Sequence, residues 1–431
     1  MVIGLNFRTA AVDVRERFWV GESRCHKALQ QTQQLDGIEE VVIVDTCNRT
    51  EYIVWASDFS TAANSLLGYL NREYGMKLCE WEHFYRLLGD DALLHLFRVV
   101  SGLDSMVVGE SQVVSQMRSS WARAHEAGTC GRFLDPIVDK ALQVADRVRS
   151  ETKFGAAGAS VPCAATQLAK EILGSVEGRK VMILGAGKMS ELSARCLLKS
   201  GARTVQVTSR TYEHAEDMAR SVGGEAVRFE DRWKHLEDAD LVLTTTGCPH
   251  VILTRDEVER LCERREGRPV FFIDLAVPRN IEAAVREVRG AFLYDLDDLE
   301  KAVARNMGER RGVAAEAERL VSEEAHRYRR RLASERMAPT MLDLRKRLDE
   351  IGRQEVERYA GEAGHLAPVQ LEAFATVVSR VVQRIAASLA RELKERPAGH
   401  EQKEFAVMVQ NLFPPQAATS GTHIVKGVGN A

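Results

Sequence analysis

Long hydrophobic runs are missing from this 431-residue sequence. The longest, such as residues 270–277, are interrupted by charge (Asp274) and fall far short of the roughly 18–20 residues a spanning helix needs, so no membrane association is expected. The opening Met1-Val2-Ile3-Gly4-Leu5-Asn6 carries no charged segment leading into an apolar stretch, and no signal peptide is expected either. The eight cysteines (25, 47, 79, 130, 163, 196, 248 and 262) form no CxxC pair and no Cys/His spacing of a zinc site. That argues against a metal centre and for reduced thiols in a cytoplasmic protein. There is no Walker loop. Charge of one sign is scarce too: 59 basic against 62 acidic residues leave −3, which neither favours nor excludes a nucleic-acid partner. With 45% hydrophobic residues the chain is an ordinary globular one, not a disordered one. Its length points to two or three domains.

The hydrophobic pattern changes three times along the chain. Up to residue 75, short strands (Val2–Asn6, Val41–Asp45, Glu51–Trp55) alternate with helices near Glu22–Leu35 and Thr61–Tyr74, an order that suits an antiparallel sheet with helices on one face. From Asp90 to Glu151 the pattern is helical. The small residues Gly155–Ser160 mark a domain boundary and a candidate hinge. Strands at Val181–Leu184, Thr204–Thr208, Ala239–Thr244 and Val270–Asp274, with a helix at Met189–Lys199, then read as a doubly wound parallel sheet. Beyond Leu296 an apolar stripe (Leu296, Leu299, Val303, Met307, Val313, Leu320, Tyr328, Leu332) runs along a highly charged helix. If unbroken to Ala338 that helix is roughly 60 Å long, and Pro339 is expected to break or kink it. So long a stripe calls for a second chain to cover it. Further amphipathic stretches follow at Thr340–Tyr359 and Pro368–Lys394, and residues 416–431 are expected to be disordered.

Several stretches could carry chemistry. Gly185-Ala186-Gly187-Lys188-Met189-Ser190 joins a strand to a helix as GxGxxS, where glycines let a pyrophosphate approach the helix N-terminus. Ser209 and Arg210 end the next strand where an NAD site carries an acid; a hydroxyl and a guanidinium favour the 2′-phosphate of NADPH over a plain exposed Arg. Asp45-Thr46-Cys47-Asn48-Arg49-Thr50-Glu51 is a tight turn after a buried-type strand. There Cys47 is either a nucleophile or a small buried hydrophobe, and Arg49 either favours a thiolate and grips a carboxylate or is a surface Arg. Ser101–Gln112 is a polar, glycine-bearing insert between helices, and His95 lies on an apolar helix face. The basic run Arg327–Arg331 reads as a solvated helix face, with tRNA backbone contact as its functional option.

Together, Thr46–Glu51, Ser101–Gln112, Gly185–Glu191 (GAGKMSE) and Phe272–Glu282 (FIDLAVPRNIE) resemble the glutamyl-tRNA reductases, in matching order from residue 3 to about 350. The resemblance implies a multidomain α/β chain: an N-terminal α+β catalytic domain (1–155), a Rossmann-type NADPH domain (156–292), and a long spinal helix with an all-α C-terminal dimerisation domain (293–415), followed by a tail (416–431). It implies a V-shaped homodimer; because Cys47 and the nicotinamide must meet across an interdomain cleft, a large opening is expected in the cofactor-free form. It implies that Cys47 attacks the ester of glutamyl-tRNA(Glu), that the thioester is reduced to glutamate-1-semialdehyde, and that His95 matters for activity. Thr46, Asn48, Arg49, Ser105, Glu110, Ser111, Gln112 and Gln116 would hold substrate, and Gly185 to Ser190 with Ser209 and Arg210 would hold NADPH. Glutamate-1-semialdehyde aminomutase is the natural recipient of so reactive a product.

Four positions depart from the family pattern: Phe7 and Ala11 in place of His and Pro, Ser111 in place of a frequent Pro, and Arg384-Ile385-Ala386-Ala387-Ser388-Leu389 without the usual His-Pro-Thr. These leave two alternatives beside the reductase: a paralogue diverged toward a secondary pathway, and a non-catalytic NADP- or tRNA-binding regulator. A shikimate dehydrogenase-like enzyme is disfavoured by the long segments flanking the nucleotide domain.

Overall fold

The computed structural model describes the chain except for residues 111, 153, 155–159, 306–310, 365–366, 396–403, 406, 409–410 and 413–431. Residues 155–159 of the expected hinge Gly155–Ser160, Met307 of the stripe and the expected tail therefore lie outside the described residues. The chain forms two compact units, Met1–Ala325 and His326–Ala431.

The first unit opens with a four-stranded antiparallel sheet, ordered β2-β3-β1-β4, from β1 (Val2–Asn6), β2 (Ile38–Asp45), β3 (Arg49–Ala56) and β4 (Tyr85–Leu87). β4, only three residues long, has no sequence signature. Helices α1 (Val12–Arg17), α2 (Glu22–Gln33), α3 (Phe59–Tyr74), α4 (Gly89–Val100), α5 (Gln112–Glu126) and α6 (Asp135–Glu151) complete this part. α3 shows how local chemistry sets the boundaries. Asp58 accepts from the Ser60 and Thr61 amides at its start, and Gly75, at φ +61°, closes its end.

After α7 (Val161–Leu173), capped by the Ser160 hydroxyl, comes a six-stranded parallel sheet. Its strands are β5 (Lys180–Leu184), β6 (Thr204–Ser209), β7 (Glu225–Arg228), β8 (Leu241–Thr244), β9 (Val270–Asp274) and β10 (Ala291–Tyr294), in the order β10-β9-β8-β5-β6-β7. Helices α8 (Lys188–Lys199), α9 (Tyr212–Val222), α10 (Arg232–Asp238) and α11 (Arg255–Arg264) connect them. The period of two explains the layering: Val181 and Ile183 enter one buried cluster with Leu168, Ala194 and Leu197, while Met182 and Leu184 enter another with Leu236, Val258 and Leu261. Each fully buried aliphatic contributes about 1.5–3 kcal/mol. The chain order reverses between β5 and β8, so the crevice at their carboxyl ends is the ligand position of such a sheet.

The two sheets are joined directly. Phe7, Val12, Met106 and Val107 share the first cluster with the parallel sheet. The Arg279 guanidinium grips the Glu16 carboxylate at 2.7 and 3.1 Å, and Arg15 donates to Asp297 at 3.1 Å. In place of the expected wide opening, α1 touches the parallel-sheet region along its length.

The long charged helix is present as α12 (Leu296–Arg305) and α13 (Arg311–Ala363). α13 is continuous through Pro339: the roughly 3 kcal/mol cost of one proline is small against the many turns on either side. The early stripe needs no second chain. Ala317, Leu320 and Val321 are buried, and Glu318 and Glu324 pair with Arg98 of α4 and with Lys140 and Arg147 of α6. The uncovered apolar surface lies later. In the second unit, α13 and α14 (Pro368–Glu395) pack through Leu344, Leu348, Val382 and Ala386, with Gly352 leaving room for Val378 and Val382. Leu342, Ile351, Phe374, Val377, Val381 and Ile385 stay exposed. Contrary to the sequence expectation, one segment, Pro368–Glu392, is long and apolar enough to cross a membrane by length and composition. Its open apolar side is equally that of a helix awaiting another helix.

Candidate active site

The β2–β3 hairpin places Cys47 at its tip. Thr46 builds the turn: its amide donates to the Arg49 carbonyl at 2.9 Å, and its hydroxyl accepts from the Asn48 and Arg49 amides at 3.2 Å. The Asn48 carbonyl accepts from the Phe7 amide at 2.9 Å, tying the turn to the end of β1. Cys47 is half-buried and packs on the same apolar cluster as Ala186 and Met189 of the glycine loop. The hairpin tip and the glycine loop therefore flank one cluster.

Arg49 does not stand beside Cys47 as a free cation. Its Nη1 donates to Glu51 at 2.6 Å and its Nη2 to both the carbonyl and the carboxylate of Asp104, the latter at 3.1 Å. Asp104 thereby ties the Ser101–Gln112 insert to the hairpin, and Gly102, at φ +80° with the Glu110 carbonyl 3.1 Å from a built Cβ, lets the insert fold on itself. Ser105 and Glu110 are buried in that insert. Gln112 and Gln116, half-buried, lie in the first turns of α5, and Ser111 lies outside the described residues.

Glu51 organises the site, and sequence reading missed it. Its Oε1 accepts from Arg49, from the Tyr85 hydroxyl and from His95 Nε2 at 2.9 Å. Its side chain crosses β1 where a Cβ on Gly4 would meet Glu51 Cγ at 2.8 Å, so a glycine opposite it is required. Burial alone would raise this carboxyl, but the Arg49 charge and the His95 and Tyr85 bonds outweigh it and bring it down to about 2. With Glu51 ionised, His95 holds its proton on Nε2, leaving Nδ1 for other chemistry.

Arg15 is the second residue that sequence reading missed. Only 2% exposed, it donates Nη1 to the Ala10 carbonyl and Asp297, while its Nε and Nη2 have no protein partner. The Cys47 thiol is pushed up to about 12, first by burial and then by the Glu110 charge; Arg15, not Arg49, is the cation that opposes this. Glu110 itself is pushed up to about 7 by burial, against a bond from the Val161 amide. Nothing in the local sequence marks Arg15, since its partner Asp297 is 282 residues away.

At the parallel sheet, Gly185, at φ +125°, has Ser190 Oγ and Thr245 Oγ1 3.0 Å from a built Cβ, while Gly187 and Lys188 are exposed at the start of α8. Ser190, in the third fingerprint position, is fully buried and touches Thr245 at the end of β8, so a small residue is needed there. Ser209 is half-buried and Arg210 exposed. The Asp274 carboxylate organises the following loop by accepting from Thr244, Ala276, Asn280 and Ile281. The bare Gly185 cradle, the open helix start and the β5/β8 crevice fit a dinucleotide.

Residues 3–152 match the glutamyl-tRNAGlu reductase N-terminal domain, and residues 316–415 its dimerisation domain. A glutamyl-tRNA reductase 2 from Koribacter versatilis is 36% identical over 413 residues, spanning 96% of this chain and 94% of that protein. The chain belongs to the glutamyl-tRNA reductase family. The family's enzyme from Trichlorobacter lovleyi is 40% identical over 359 residues, 83% of each chain. The solved glutamyl-tRNA reductase of Methanopyrus kandleri is 30% identical and covers 95% of this chain and 97% of its own, with a TM-score of 0.48. Residues 167–302 match the shikimate/quinate 5-dehydrogenase domain, a nicotinamide-cofactor type of oxidoreductase domain. Family membership across nearly the whole chain favours the reductase over a diverged paralogue or a regulator.

Proposed function

We propose that the chain reduces glutamyl-tRNA(Glu) to glutamate-1-semialdehyde with NADPH, the first step of 5-aminolevulinate and tetrapyrrole synthesis by the C5 route, as a cytoplasmic homodimer. The observation that carries this reading is the set of buried polar atoms without a protein partner at and beside the Cys47 turn: Asn48 Oδ1, Glu51 Oε2, and Arg15 Nε and Nη2. Buried polar atoms are normally satisfied, and a polar aminoacyl ligand would satisfy them. In the proposed sequence Cys47 Sγ attacks the ester carbonyl carbon, the bond to the ribose oxygen breaks, and tRNA leaves with the proton that the thiol gives up. When bound, NADPH supplies the hydride that releases the thioester as aldehyde and returns the sulfur. Glu51 fixes the His95 ring so that Nδ1 holds or passes a proton at the reacting carbonyl. Arg49, oriented between Glu51 and Asp104, takes part in substrate recognition with Thr46, Asn48, Ser105, Glu110, Ser111, Gln112 and Gln116. Gly185 to Ser190 cradle the pyrophosphate, and Ser209 and Arg210 select the 2′-phosphate. Passing the aldehyde to glutamate-1-semialdehyde aminomutase belongs to the same proposal because a free aldehyde is reactive.

Mixing the protein with radiolabelled glutamyl-tRNA before adding NADPH tests the scheme. Label should accumulate on wild-type protein, be absent from Cys47→Ser, and be released as semialdehyde on adding NADPH. Label on Cys47→Ser, or reduction by that variant, would overturn it.

A further inference from the structure

At the opposite end of α5 from Gln112 and Gln116, three side chains of different chemistry converge. The Asp135 carboxylate oxygen Oδ1, at the start of α6, accepts from His125 Nε2 at 3.0 Å, from Cys130 Sγ at 3.0 Å and from Trp121 Nε1 at 2.8 Å. The imidazole nitrogen, the sulfur and the carboxylate oxygen all lie within 4.8 Å of one another, the one such group among the described residues. We propose that His125, Cys130 and Asp135 form a binding site for a borderline-soft divalent cation of the zinc class.

Three features support this assignment. The ligand set of nitrogen, sulfur and oxygen suits zinc and not calcium or magnesium, which take oxygen alone. The oxygen–nitrogen and oxygen–sulfur separations of 3.0 Å are close to those of ligands around a tetrahedral cation with bonds of roughly 2.0–2.3 Å, and the nitrogen and sulfur lie within 4.8 Å of each other. The backbone is already anchored on both sides of Cys130. The Val41 amide of β2 donates to the Thr129 carbonyl at 2.8 Å and the Thr129 hydroxyl to the Val41 carbonyl at 3.0 Å, and the Glu40 carboxylate accepts from the Phe133 and Leu134 amides at 2.7–3.2 Å. The Trp121 bond to Asp135 supplies the outer contact that orients a ligating carboxylate. On binding, the Cys130 thiol proton leaves to solvent, His125 moves its ring proton to Nδ1 so that Nε2 faces the cation, and a water fills the fourth position. Sequence spacing conceals the site because four residues lie between each ligand and the next, on a helix end, a loop and a helix start.

The test is titration of the full chain with Zn2+ against a chromophoric chelator, and with Co2+ followed by its sulfur-to-metal charge-transfer absorption. One equivalent should bind, with the charge-transfer band present in wild type and in Cys47→Ser but lost in Cys130→Ser. Affinity should fall on the order of 100-fold in Cys130→Ser and at least about tenfold in Trp121→Phe, which removes only the outer contact. Far-ultraviolet circular dichroism establishes that each variant is folded. Absence of stoichiometric binding in wild type, or a band and affinity unchanged by Cys130→Ser and His125→Asn, would overturn the proposal and leave a hydrogen-bonded cluster only.

Discussion

Replacing Glu51 by Gln removes one charge and keeps the shape, which makes it the sharpest probe of the hairpin. The carboxyl is fully buried and lies at about 2 against an ordinary 4.5. At about 1.4 kcal/mol per tenfold change in proton affinity, that difference makes its ionised form worth about 3 kcal/mol of folding stability at neutral pH. The independent expectation for breaking a buried ion pair is about 3–5 kcal/mol, so the two agree. Because the folded value is the lower one, the contribution is complete above about pH 4.5 and fades as pH falls toward 2. Urea unfolding of the full chain should therefore show Glu51→Gln destabilised by about 3 kcal/mol at pH 7 and by only about 2 kcal/mol at pH 3.5. Turnover should fall as well, since Arg49 and His95 lose the anion that holds them. A loss under 1 kcal/mol at pH 7, or a gap that does not narrow in acid, would refute the assignment of Glu51 as the ionic centre of the site.

With the thiol at about 12, alkylation of Cys47 by iodoacetamide, followed by peptide mass spectrometry, should accelerate up to pH 9 and beyond without a plateau. Glu110→Gln should raise the rate several-fold and Arg15→Met lower it, because the two charges act on the sulfur with opposite signs; a plateau near pH 8 contradicts this. Arg210→Ser should raise the KM for NADPH about 10–100-fold, the worth of one charge-assisted bond of about 1.5–3 kcal/mol, and leave the KM for NADH nearly unchanged. Equal effects on both cofactors would remove Arg210 from the 2′-phosphate site. Ser190→Val, which adds bulk at a fully buried position against Thr245, should destabilise by about 1–3 kcal/mol in thermal unfolding and weaken cofactor binding measured by fluorescence.

The elements that were legible in the sequence are those whose own residues carry the signal. β5, β8 and β9 are largely apolar runs buried on both faces, β6 buries Val205 and Val207, and the glycine loop has its strand before it and its helix after it. β7 and β10 are four residues each and partly exposed, too short to show a period. The hairpin was readable as strand, turn, strand, but the partners of its side chains were not. Arg49 is answered by Asp104 across 55 positions and Glu51 by His95 across 44; such pairings are made by the fold and leave no local mark. The stripe beyond Leu296 was correctly apolar yet wrongly partnered, since periodicity shows that a face must be covered but not by which surface.

Adjacent residues of α1 bind the parallel-sheet region in opposite senses: Arg15 gives a cation to Asp297, and Glu16 gives an anion to Arg279. Any separation of the two regions unfastens both pairs at once. Glu16 would simply meet water, but Arg15 would be left as an unanswered cation in the neighbourhood of Cys47. The charge balance around the sulfur is therefore set in part by a contact between the two regions.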